Sequence, residues 1–217
     1  MMPDELLSIE LGDILIRLAD FRAAMAKKGP FDFDYAVPIL LQIDADLKNW
    51  ASALPTSWRY DLHTCIPQTD FYTLQYHKYP GFSIAAVWNQ YRMARCLVNS
   101  VLLSYLDSSP AAQHALHPSA LPEQSVQAKE TIQNICTDIC ASVPYFLLRM
   151  DQNNTPRPGV GGLEVMWALF TCANMGCIPE KQRLWATKQL DKIGYEMGVL
   201  QALTLANLAR SKIVPLK

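Results

Sequence analysis

Residues 131–144 read TIQNICTDICASVP and carry the clearest structural signal in the chain. Their apolar side chains recur at intervals of three and four residues, which places them on one face of an α-helix. We expect this stripe to end at Pro144, because a proline inside a helix removes a backbone hydrogen bond. The pattern predicts a helix with one buried face, formed by Ile132, Ile135, Cys136, Ile139, Cys140 and Val143.

The same spacing recurs along almost all of the 217 residues, without a convincing alternation of period two. It predicts an all-α fold class, with a single compact domain over residues 1–217 and about six to eight helices. Two stretches lack the pattern and are predicted to be connections: Thr56 to Gly81, and the Gly- and Pro-rich Asp151 to Gly162. Besides the helix that ends at Pro144, helices are predicted over about 3–28, 34–53, 82–106, 163–174, 180–197 and 199–213.

The composition excludes several classes of protein. Half of the residues are hydrophobic and 18% are charged, which is too apolar for a disordered chain. The net charge of −1 gives no general attraction to nucleic-acid phosphates. An acidic N-terminus and short or charge-interrupted apolar stretches predict neither a signal peptide nor a membrane span. Most of the six cysteines lie in apolar segments, which indicates an intracellular reducing compartment.

No metal, cofactor or catalytic residue is predicted. Cys136 and Cys140 are one helical turn apart, but two thiols do not complete a zinc site, and both lie on the apolar stripe. The four residues Gly159 to Gly162 follow a Pro-Arg-Pro segment instead of a strand, so we interpret them as a flexible linker and not as a phosphate loop.

The histidines lie in segments without a period and at no spacing of a known site. We interpret His63 and His77, which flank Cys65, as loop histidines that are solvated or hydrogen-bonded. The pair His114 and His117 is interpreted in the same way.

Arg95 is the charge that most needs a partner. It follows Trp88 by seven residues and therefore lies on the same inward side of the predicted third helix. An unpaired buried guanidinium would cost several kcal/mol. We predict a structural buried ion pair between Arg95 and a carboxylate of a neighbouring helix, either Asp138 or Glu164.

Six blocks of sequence, taken in order, resemble a known family. They are I-x3-L-x2-W with LP-x2-W (43–58), W-x2-YR-x2-R (88–95), IC-x-DICASVPY (135–145), MW-x-LF (166–170), R-x-WA (183–186) and IG-x2-MG-x2-QA (193–202). Together they resemble the C-terminal regulatory domain of fungus-specific zinc-cluster transcription factors of the Zn2Cys6 type. The resemblance covers about residues 34–210 and implies a helical regulatory domain.

The positions shared with that family look architectural. The resemblance implies core roles, and no catalytic role, for Trp50, Trp58, Trp88, Tyr91, Cys136, Cys140, Pro144, Trp167, Trp185, Gly194 and Gly198.

The resemblance also implies what the protein does. It implies transcription regulation in the nucleus through other protein chains, with a second copy of this chain and a small-molecule effector as candidate partners. These 217 residues lack the closely spaced cysteine pairs, with intervening Lys and Arg, of the zinc cluster that binds DNA. We therefore expect no direct nucleic-acid binding, no membrane association and no enzymatic activity. The low charge further predicts an uncharged face that is available to another chain.

Two alternatives remain open from the sequence. One is a stand-alone helical dimerisation module, which would present a flat apolar face. The other is a small helical enzyme that uses His63, His77 or Cys65 near a pocket, which would be supported if these side chains lay within hydrogen-bond reach of one another.

Overall fold

Seven α-helices account for most of the residues that the computed structural model describes, which are 3–29, 32–64, 71–108, 120–150, 156–158 and 161–211. The all-α fold class is confirmed. No helix in these ranges is long and apolar enough to cross a membrane. The helices are α1 (Pro3–Lys28), α2 (Phe33–Ala53), α3 (Phe82–Ser108), α4 (Ala120–Leu147), α5 (Gly162–Asn174), α6 (Glu180–Met197) and α7 (Leu200–Ser211).

Two small antiparallel sheets are found, with all their strands in the predicted connections except β3, which directly precedes the second one. A 3₁₀ turn (Thr56–Trp58) precedes β1 (Asp61–Thr64), which pairs with β2 (Gln75–Lys78). A second pair joins β3 (Leu148–Met150) to β4 (Pro156–Pro158). Strands this short offer too few residues for a period of two to be visible in the sequence.

The helix bounds follow local chemistry. Gly198 ends α6 with φ of 74°, a left-handed conformation that glycine adopts without strain. The predicted end at Pro144 is wrong, because α4 continues to Leu147 with Pro144 buried inside it. Pro144 lies in the last turn of α4, so its missing N–H removes only one hydrogen bond near a helix end.

Contacts between Cα atoms divide the described chain into two units. The first unit holds α1, α2, the part of α3 from Ala94 and the part of α4 up to Gln133. Within it, α1 contacts α2, and the Trp50 indole N–H donates to the backbone oxygen of Leu7 at 2.8 Å. The buried apolar residues of these two helices include Leu11, Ile14, Leu18, Phe21, Leu40, Ile43 and Leu47.

The second unit holds the remaining described residues, including the β1–β2 hairpin, the start of α3, the end of α4, and α5 to α7. Helices α5, α6 and α7 contact one another. At Gly194 a Cβ atom would overlap the side chain of Leu203, so only glycine allows α6 and α7 to approach this closely.

Candidate functional site

Most of the family-motif residues are placed inside their units. Trp88 and Trp185 are half-buried, and Gly198 is exposed at its helix end. Trp167 is 44% exposed, which contradicts the expected core role. It shares the exposed face of α5 with Leu163, and an apolar helix does not reveal from its sequence which face meets water. The buried positions are Trp50, Trp58, Tyr91, Cys136, Cys140, Pro144 and Gly194.

Arg95 forms a buried ion pair, but with a carboxylate other than the two predicted from the sequence. Its Nε donates to Oδ1 of Asp44 at 2.9 Å, and its Nη2 donates to Oδ2 at 3.4 Å. Asp44 therefore takes the place that we predicted for Asp138 or Glu164. Asp44 lies on the buried face of α2, at the helical spacing of Leu40, Ile43 and Leu47. A carboxylate on an otherwise apolar face is a signal that could have identified Asp44 as the partner of Arg95.

Two further side chains contact the carboxylate of Asp44. It also accepts a hydrogen bond from Nδ2 of Asn99 at 2.8 Å, and Nζ of Lys48 lies 2.8 Å from its Oδ2. Burial tends to raise the pKa of Asp44, but the donors Arg95, Lys48 and Asn99 outweigh it and hold that pKa below its usual value. The charge of Asp44 is therefore balanced by side chains of the protein itself, and this ion pair is structural.

The most deeply buried charge is Arg92, which is 1% exposed; it belongs to the W-x2-YR-x2-R block (88–95), but no site was predicted there from the sequence. Its Nη1 donates to the Tyr79 hydroxyl at 2.6 Å and to Oδ1 of Asn89 at 3.0 Å. Its Nη2 lies 3.1 Å from Nδ1 of His77. Among the described residues, Arg92 takes part in no ion pair within 4.0 Å. The acceptors of its three hydrogen bonds are all neutral groups.

Aromatic rings surround the same guanidinium. Its Cζ lies 5.1 Å from the ring centroid of Tyr60, 5.8 Å from that of Tyr79 and 5.4 Å from that of Trp88. Contacts of this kind stabilise a desolvated cation by about 2 kcal/mol. We call this group the Arg92 cage: Arg92, Tyr60, His77, Tyr79, Trp88 and Asn89.

The hydrogen bonds within the cage define the protonation state of His77. Because Arg92 can only donate, Nδ1 of His77 must accept, and the ring proton is on Nε2. Burial and the charge of Arg92 lower the pKa of His77 to about 3. Burial raises the pKa of Tyr79 to about 12. Neither group has the pKa of a general acid or base that works near neutral pH.

Asn89 leaves one polar group without a partner. It is 1% exposed, and its Oδ1 accepts from Arg92 and from the Ser142 hydroxyl at 3.2 Å. Its Nδ2 has no hydrogen-bond partner in the described part of the chain. The reverse amide orientation would direct N–H groups at the Arg92 donors, so the orientation follows from the network. The cage thus holds a cation without a carboxylate and an amide donor without an acceptor.

The other predicted candidates do not converge. His63 on β1 pairs with Tyr76 on β2, and neighbouring strand residues point to opposite faces, so His63 and His77 lie on different faces of the hairpin. Cys65, His114 and His117 lie outside the described residues. Within the described ranges, no group of three His, Cys, Asp or Glu side chains is arranged for a metal ion.

The glycines before α5 support packing. The backbone N–H of Gly161 donates to the oxygen of Phe146 at 3.1 Å, and a Cβ at this position would lie 2.7 Å from the ring of Phe82. This N–H is therefore engaged within the fold, and it does not face a phosphate. Gly159 and Val160 lie outside the described residues.

The thiols of α4 and α5 are buried, and none of them forms a disulfide with another described residue. Nε2 of Gln182 lies 3.6 Å from Sγ of Cys140, and Sγ of Cys172 lies 3.9 Å from the backbone oxygen of Cys136. Burial raises the pKa of the Cys140 thiol, as is typical of a structural cysteine.

Comparison with known proteins gives one informative similarity. No protein-family profile and no solved structure matches the chain. The chain is 27% identical over 157 residues to transcription factor dbaG of Emericella nidulans, in an alignment that covers 66% of this chain and 34% of that protein. The chain thus spans about a third of the length of this curated relative. The chain is therefore helical and is similar to part of a fungal transcription factor.

Proposed function

We propose that this chain is a helical regulatory domain that controls transcription through contacts with other proteins. The observation that carries the proposal is the similarity to a transcription factor over 66% of the chain. We propose the regulatory region of fungus-specific zinc-cluster factors as its family, the nucleus as its location, and no enzymatic activity. A second copy of the chain is a candidate partner.

The charges of the described residues support a role that does not involve binding DNA. Four arginines that could contact phosphates are already paired with acids. These pairs are Arg17 with Asp46, Arg95 with Asp44, Arg183 with Glu180, and Arg210 with Asp191.

Exposed apolar side chains support contact with protein. On α1, Leu6, Ile9 and Ile16 are 42%, 49% and 59% exposed, and their spacing places them on one side of the helix. On α5, Leu163 and Trp167 are one turn apart and 57% and 44% exposed. Helical apolar faces of this kind are typical of sites where a helix binds another protein.

The test is a tethering experiment in a fungal host. The full chain is fused to an unrelated DNA-binding domain, and transcription of a reporter that carries that domain's site is measured. We expect the fusion to be nuclear and to change reporter transcription relative to the DNA-binding domain alone. An unchanged reporter would contradict the proposal.

Two surface variants test the part played by protein contacts. One replaces Leu6, Ile9 and Ile16 with Ser, and the other replaces Leu163 and Trp167 with Ser; Lys181→Ser, at an exposed site of α6, is the control. We expect at least one of the two variants, but not the control, to lose the reporter effect while remaining helical by circular dichroism. A full effect in both variants would contradict the role of these contacts.

A further inference from the structure

We propose that the Arg92 cage is the anion-binding end of an effector site, and that it takes a small carboxylate attached to a planar ring. The regulatory meaning of this site rests on the proposed function, whereas binding itself can be measured independently of it.

The charge of Arg92 is the first reason to expect an anion in the cage. A guanidinium removed from water is costly unless a negative group compensates it. The three acceptors of Arg92, on Tyr79, Asn89 and His77, are neutral. The carboxylate of Asp138 lies beyond His77, 3.9 Å from its Nε2, and the Asp138 side chain is 47% exposed. Burial tends to lower the pKa of Arg92, but Tyr79, Tyr60 and the charge of Asp138 outweigh it and raise that pKa, so Asp138 compensates the cation in part and from a distance. The aromatic faces stabilise the cation, but they add no negative charge.

The unpartnered amide of Asn89 is the second reason. Its Nδ2 is a buried donor without an acceptor in the described part of the chain, which is unfavourable because the group has lost its hydrogen bond to water. Oδ1 of the same amide lies 3.0 Å from Nη1 of Arg92, so Nδ2 and the guanidinium are close neighbours. An anionic oxygen between them would accept from both, and such charge-assisted hydrogen bonds are the stronger kind. The guanidinium and the amide are thus neighbouring donors that one anionic oxygen would bind together.

The aromatic rings of the cage indicate what the rest of the ligand is. Tyr60 and Trp88 are half-buried, so they form the side of the cage nearest to water. Tyr60 lies between the 3₁₀ turn and β1, outside any helix or strand, and its ring stacks on His77 with centroids 4.0 Å apart. The inferred ligand would displace this ring in order to reach the guanidinium. Aromatic faces next to a cation suit a planar ring that carries a carboxylate.

Such a ligand would act by a shift of populations. It would bind only the conformation in which Tyr60 admits it, and so would favour that conformation over the closed one. In the regulatory domain that we propose, this coupling would connect the amount of an aromatic acid to the surface available to partners.

The binding test uses the purified full chain and thermal denaturation. The probes are benzoate and 2-naphthoate, with methyl benzoate as the uncharged control and acetate as the control without a ring. We expect the two aromatic acids to raise the melting temperature and both controls to leave it unchanged. If neither acid raises it more than the controls do, the proposal is overturned.

The decisive variant is Asn89→Asp, which places a carboxylate where we infer the ligand carboxylate to bind, with little change of shape. We expect this variant to melt at a higher temperature than the wild type and to lose its response to benzoate. The matched control is Asn99→Asp, also at a buried asparagine of α3, where the new charge would face Asp44. The control should melt at a lower temperature. If Asn89→Asp also melts lower and keeps its response, the charge of Arg92 is already balanced and the proposal fails.

The two proposals fail in different ways. Selective stabilisation by benzoate in a chain that leaves the reporter unchanged would retain the site and reject the regulatory function. A chain that changes the reporter, but neither binds the acids nor is stabilised by Asn89→Asp, would retain the function and reject the site.

Discussion

Arg92 and Arg95 are three residues apart on α3, and both are withdrawn from water, but their charges are compensated in opposite ways. Arg95 is bound by a carboxylate, that of Asp44, in a geometry with two hydrogen bonds. Arg92 is bound by neutral acceptors and aromatic faces. The first arrangement is complete without a ligand. Among the described residues, the second has no carboxylate within 4.0 Å of its guanidinium, which is why we place the candidate site there and not at Arg95.

The largest effect is expected from Arg92→Leu. This change leaves the Tyr79 hydroxyl, Asn89 and His77 buried with fewer partners. Each buried polar group that loses its partner costs about 1–3 kcal/mol, so we expect the free energy of unfolding to fall by about 3–5 kcal/mol. Denaturation in urea measures the loss. The control is Arg59→Leu, at an exposed site before β1, where we expect a change within about 0.5 kcal/mol. A loss in Arg92→Leu as small as in the control would show that the cage does not depend on its cation.

Asp44→Ala should cost somewhat less, about 3 kcal/mol, because it leaves the Arg95 guanidinium partly buried without its carboxylate. A double-mutant cycle with Arg95→Met should give a coupling energy of about 1–3 kcal/mol. The same cycle between Asp44 and Arg92 is the control and should give a coupling near zero. Equal coupling energies in the two cycles would show that Asp44 does not bind Arg95 in preference to Arg92.

The Arg92 cage and the Asp44–Arg95 pair should also lose stability in different pH ranges. The pKa of His77 is lowered from 6.5 to about 3 in the folded chain, so the unfolded chain binds a proton first as the pH falls. The stability contributed by neutral His77 is therefore complete above pH 6.5 and is lost between pH 6.5 and about 3, by about 1.4 kcal/mol per pH unit.

The pKa of Asp44 is lowered from 3.8, so its contribution is present above pH 3.8 and is lost only below it. Urea denaturation at pH 7 and pH 5 isolates the effect of His77. We expect a loss of about 2 kcal/mol that is absent in His77→Gln and retained in His63→Gln. If the free energy of unfolding still falls between pH 7 and pH 5 in His77→Gln, another group causes the effect.

The smallest effect is expected from Lys48→Ala. Its side chain is 50% exposed although its Nζ lies 2.8 Å from Asp44, and exposed ion pairs contribute at most about 1 kcal/mol. We expect urea denaturation to show a loss below about 0.5 kcal/mol, and a smaller one at high salt. A loss comparable to that of Asp44→Ala would mean that Lys48, and not Arg95, compensates the carboxylate.

Much of the helical structure follows from local patterns that the sequence displays. The stripe around Ile135 and Ile139 predicted the central part of α4, and Pro179 and Gly198 bound α6 as expected. The burial of Arg95 could be inferred from its spacing to Trp88. Its partner could not, because Asp44 precedes it by 51 residues and lies on another helix.

The candidate site was less predictable than the helices. Arg92 follows Tyr91 in a helix whose inward side was recognised, but two of its acceptors, His77 and Tyr79, come from the segment without a period. The β1–β2 hairpin brings them to α3, and its four-residue strands leave little trace in the sequence. The sequence did not reveal this site because two partners of Arg92 come from a different segment of the chain.

By itself, the sequence determined the all-α class, most helix bounds, the near-zero charge and the resemblance to fungal regulators. These properties depend on composition and on side chains that recur along a single helix, where each residue's neighbours are three or four positions away. The tertiary structure alone decided that Asp44 binds Arg95 and that Arg92 is enclosed by aromatic rings, with no described carboxylate within 4.0 Å. Contacts between distant segments depend on how complete elements pack, and no local pattern of residues specifies them.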